Sequence, residues 1–75
     1  MSNKQSSITP MMAYKQFEAL SYDILDANGG ASIIFNSDAA THTLNLVREA
    51  SADLYTQHKG DPVWELAYQR WCSTL

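Results

Sequence analysis

The sequence predicts an all-α protein, a small three-helix bundle, and three observations carry that prediction. Apolar residues recur at three- and four-residue spacing in three stretches, and each stretch opens on residues able to cap free N–H groups. Glycine closes the first two stretches. A single segment reads like a strand, and it has no second one to pair with. The helices are expected over about 10–27, 38–58 and 62–73, with an apolar connector at 31–35 whose backbone is open to an extended form.

The first helix is announced by Thr9-Pro10, since Thr caps and Pro at the first helical position loses nothing by lacking an N–H. Ala13, Phe17, Leu20, Ile24 and Ala27 form its stripe, with Tyr14 and Leu25 flanking. Asn28-Gly29-Gly30 stops it. The connector that follows, Ala31 to Phe35, has strand-like Ile33, Ile34 and Phe35. These either plug the core or pair with their copy in a dimer, and the plug is preferred because an isolated strand pair is marginal in water.

Asn36-Ser37-Asp38 supplies capping oxygens for the longest helix, Ala39 to His58. Ala40, Thr43, Leu44, Val47, Ala50, Ser51, Leu54 and His58 fall on one side of it, which marks it as the element around which the chain should be organised. Lys59-Gly60 closes it. Asp61-Pro62 opens the third helix, where Val63, Trp64, Ala67, Tyr68, Trp71 and Leu75 share a face and Glu65, Gln69, Cys72 and Ser73 point away.

With 75 residues the chain makes one domain, 9–75, after a polar start at 1–8 that reads as a flexible tail. Its size sets a modest stability unless a partner adds some. Hydrophobic residues are 45% and charged residues 17%, too apolar for intrinsic disorder. Five Lys/Arg against eight Asp/Glu give net charge −3, with the cations scattered, which argues against nucleic acid. One cysteine, Cys72, rules out an internal disulfide framework and suits a reducing compartment. No apolar run approaches the roughly 18 residues of a membrane span, and the start lacks the apolar core of a signal peptide, so a cytoplasmic location is expected.

Chemistry-bearing patterns are sparse. His42, Glu49 and Asp53 lie near one line of the second helix, but zinc spacings of His and Cys are missing, so this is a solvated polar face and no metal is assigned. His58 reads as a favourable charge at a helix C-terminus. Gly29-Gly30 follows a helix and precedes the apolar segment, the reverse of a phosphate cradle. Nothing places a histidine beside Cys72, and an exposed Glu49/Asp53 pair has no cleft to tune it. A DNA-reading third helix would carry Glu65 one turn in, where phosphates approach.

The expectation is therefore a non-enzymatic protein-binding module, a regulator, adaptor or inhibitor, without cofactor, binding a protein partner or itself as a homodimer. The runner-up is a dimeric DNA-binding regulator using the second and third helices, and a third class is a very small metal- or thiol-dependent enzyme. Ile33, Ile34, Phe35, Trp64, Tyr68 and Trp71 are the candidate interface, because Met11, Met12 and Leu46 lie off the stripes and apolar side chains outnumber the needs of a small bundle. The tryptophans serve equally well as core.

Overall fold

The computed structural model describes residues 8–75, the Ile34 side chain excepted. Three α-helices and one short 3-10 segment follow in order: α1 Pro10–Ala27, the 3-10 segment Gly30–Phe35, α2 Ser37–Gln57 and α3 Pro62–Thr74. This is the expected small all-α bundle. The expected tail lies outside the described residues except for Ile8, which packs against the core and so belongs to the domain.

Each helix begins on a side chain that accepts hydrogen bonds from otherwise unpaired amides. The Thr9 hydroxyl accepts from the Met12 amide at 3.2 Å, and the Asn36 side chain accepts from those of Asp38 and Ala39 at 3.0 and 3.1 Å. Asp61 caps α3 through the Val63 amide at 2.9 Å. Such caps contribute about 0.5–2 kcal/mol each.

The connector is helical, not extended. Gly29, at φ 112, turns the chain left-handed after α1, and a Cβ there would also meet Ile33 Cγ2 at 3.2 Å. The Ser32 hydroxyl then donates to the Gly29 carbonyl at 2.6 Å, and the Asn36 amide to the Ile33 carbonyl at 3.0 Å. The strand propensity of Ile-Ile-Phe yields because a lone strand leaves backbone groups unpaired, whereas 3-10 hydrogen bonding satisfies them within the segment. Of the proposed plug, Ile33 is buried and Phe35 is 87% exposed.

The centre of the molecule is Phe17 of α1, not the long helix that periodicity suggests. Phe17 is fully buried, and its ring lies 5.7 Å from Trp64, 5.6 Å from Tyr68 and 6.2 Å from Trp71, centroid to centroid. Ala13 and Ala67, both fully buried, are the small residues beside these rings. The most buried positions of α2 are Thr43, Val47 and Ser51, a line at four-residue spacing with little apolar volume. Area decides here: apolar stabilisation follows surface removed from water, and the rings of α1 and α3 remove more than α2's small side chains.

The short turn at Gly60 sets α2 and α3 antiparallel in a ladder of three contacts. His58 stacks on Trp64 with centroids 3.8 Å apart, Tyr55 stacks on Tyr68 at 4.4 Å, and the Trp71 Nε1 donates to the Ser51 hydroxyl at 2.8 Å. α1 packs on both α3 and α2, and its burial falls off toward its C-terminal end. Accordingly Ala13 and Phe17 are fully buried, Leu20 and Ile24 are half-buried, and Ala27 is exposed.

Candidate functional site

Of the six residues singled out by the sequence, the five whose side chains are described do not gather into one surface. Trp64 and Trp71 are 5% and 6% exposed, so the burial assigns both to the core. Tyr68 is half-buried between Phe17 and Tyr55. The 3-10 segment rests on α1 and α2 and does not touch α3. It therefore shares no patch with the aromatic helix.

Apolar surface is instead exposed along one flank of α1 and α3. Met11 is 60% exposed and Leu66 43%. Between the helices Pro10, Met11 and Tyr14 face Leu66, Arg70, Ser73 and Thr74 across a groove of about 490 Å³. Tyr14 forms its inner wall, held edge-on against Trp71 with centroids 5.5 Å apart. The rigidity of this wall comes from the core, because Trp71 is itself fixed by Ser51.

Sequence reasoning noticed Met11 but missed Leu66, Tyr14 and Arg70 as a group. A signal was present: Leu66 sits off the α3 stripe, and Leu66, Arg70 and Ser73 follow one another at four and three residues, a second line along that helix. What periodicity within α3 could not supply is the neighbouring helix that turns this line into one wall of a groove.

Arg70 is exposed, and among the described residues no carboxylate pairs with it. A second groove, of about 400 Å³ between α1 and α2, has the opposite character: Asp23, Glu49 and Asp53 border Ile24, Ala27, Leu46 and Ala50. The two sides of α1 thus differ in charge. Among the described residues no three of His, Cys, Asp and Glu come close enough to hold a metal ion, so His42 does not form a site with Glu49 and Asp53 there. No helix is long and apolar enough to cross a membrane.

Two tyrosines make polar contacts on the α2–α3 side. The Tyr55 hydroxyl donates to Glu65 Oε2 at 3.1 Å, and loss of water around the ring, with the Glu65 hydrogen bond and charge, holds that hydroxyl above the usual tyrosine range. Tyr68 is raised too, first by its burial and then by the Cys72 thiol and Tyr55 beside it. Cys72 is exposed at the edge of a recess of about 240 Å³ that also contains Arg48, Ser51 and Tyr68.

No family model, no curated protein and no solved structure matches the chain.

Proposed function

We infer that this protein is a small, non-enzymatic, cytoplasmic protein-binding module, a regulator, adaptor or inhibitor, and that its contact surface is the α1–α3 groove. One observation carries the reading: Met11 and Leu66, 60% and 43% exposed, face each other over a preformed apolar trough whose inner wall is locked to the core. Exposed apolar side chains gathered on one flank, with aromatic and methionine groups among them, are what protein contacts use. Neither nucleic acid nor membrane is a natural partner for a chain of net charge −3 whose cations are scattered.

The test compares Leu66→Asp with Phe35→Asp, both at exposed positions, in capture of proteins from the native host read by mass spectrometry. A protein held by the natural chain and by Phe35→Asp but lost with Leu66→Asp supports the groove. Equal capture by all three, or loss with Phe35→Asp alone, overturns it.

A further inference from the structure

We propose that the α1–α2 groove is a second contact surface, and that its occupant is a basic amphipathic helix of another protein, aliphatic toward the groove and flanked by Lys or Arg. This goes beyond the α1–α3 groove and does not depend on it. Ile24, Ala27, Leu46 and Ala50 line the groove, and all but the exposed Ala27 are half-buried. Ile24 and Ala27 are one turn apart on α1, as Leu46 and Ala50 are on α2. Leu46 lies off the α2 stripe, and α1 here gives it apolar neighbours. The two alanines leave room that larger side chains of a partner fill, and the trough between two helices accepts a third helix whose apolar residues recur at three and four.

Charge narrows the partner. Asp23, Glu49 and Asp53 line the same groove, are exposed, and among the described residues have neither a cation nor a hydrogen-bond donor as partner. Asp26, three residues after Asp23 and likewise exposed, adds negative charge beside that end. Among the described residues no cation lines the groove. Arg48 borders the recess beside Cys72, and Arg70 borders the α1–α3 groove. Lys15 stands eight residues before Asp23, about 12 Å back along α1, and Lys59 follows the end of α2. An acidic or neutral helix laid on this strip would take its carboxylates from water without pairing them, whereas a cationic one pairs them while it covers the apolar residues. A second copy of the chain would bring the same carboxylates and be repelled.

The probe is a labelled synthetic helical peptide of leucine and lysine, its leucines at three- and four-residue spacing, titrated with the protein and followed by fluorescence anisotropy. Two control peptides carry serine for every leucine or glutamate for every lysine. The natural chain should bind the parent peptide saturably at micromolar concentration, and neither control. Glu49→Gln with Asp53→Asn should weaken binding about fivefold or more, while Glu18→Gln with Asp38→Asn, the same change in net charge away from the groove, should change it about twofold or less. Leu66→Asp, in the other groove, should also leave it within about twofold. Helicity is checked by circular dichroism throughout, and the control peptides test charge and apolar contact without altering the protein. Absence of saturable binding overturns the proposal. Equal loss in the two neutralised pairs, or equal binding of the serine peptide, would mean that net charge alone attracts, and overturns it too. Loss with Leu66→Asp but not with Glu49→Gln/Asp53→Asn would place the peptide in the α1–α3 groove and overturn this proposal while leaving that groove as a contact surface.

Discussion

The Trp71 indole nitrogen donates a hydrogen bond of 2.8 Å to the Ser51 hydroxyl inside the core, twenty residues away in sequence, and this joins α2 to α3 where both are almost fully buried. Ser51 is 1% exposed, so its hydroxyl has exchanged water for this partner. Ser51→Ala should cost about 1–3 kcal/mol by leaving the indole N–H unsatisfied. Trp71→Phe should cost more, through lost volume, and the two losses should not add. A double-mutant cycle by urea unfolding measures the coupling, and strict additivity would show that the bond contributes nothing.

Phe17 touches three aromatic rings of α3, so Phe17→Ala removes the centre of the core. A loss of about 3–5 kcal/mol is expected, enough to unfold much of a domain this small at ambient temperature. Phe35→Ala removes a ring of the same size that is 87% exposed and should change stability by about 0.5 kcal/mol or less. Thermal unfolding followed at the helical circular dichroism band decides. Comparable losses at the two positions would contradict the burial.

The cap of α2 is one side chain accepting from two amides, and Asn36→Ala should destabilise by about 0.5–2 kcal/mol. Asn36→Asp keeps the acceptor, adds favourable charge at the positive end of the helix and should be neutral or better. Denaturant midpoints at neutral pH give both values.

Alkaline pH should loosen the α2–α3 contact. Tyr55 and Tyr68 have folded-state values raised above the usual 10.0, so the unfolded chain releases these protons first. Whatever they contribute is complete below about pH 10 and is lost as pH rises through the folded-state values. Tyrosinate absorbance should therefore show two late-titrating groups, one absent from Tyr55→Phe and one from Tyr68→Phe. Glu65→Gln should bring Tyr55 down, since it removes the charge that the hydroxyl faces. A Tyr55 titration unchanged by Glu65→Gln would mean that desolvation alone sets it.

With net charge −3 and no clustered cations, the chain should not shift duplex DNA at physiological salt, and added zinc should not raise its melting temperature. A mobility shift that weakens with salt would favour the DNA-binding reading.

Read alone, the sequence determined the three helices and where each begins. Apolar period and capping chemistry are local, and Thr9, Asn36 and Asp61 act on amides within three residues of themselves. The apolar face of α3 was legible for the same reason. Tertiary structure decided the rest, because burial depends on what lies opposite. It turned Ile-Ile-Phe into a 3-10 segment, since among the described residues no strand was there to satisfy an extended backbone. Phe17 became the centre in place of α2, because α3's rings converge on it. Trp64 and Trp71 went to the core, and by laying α1 beside the Leu66–Arg70 line the fold made a groove that no single helix contains.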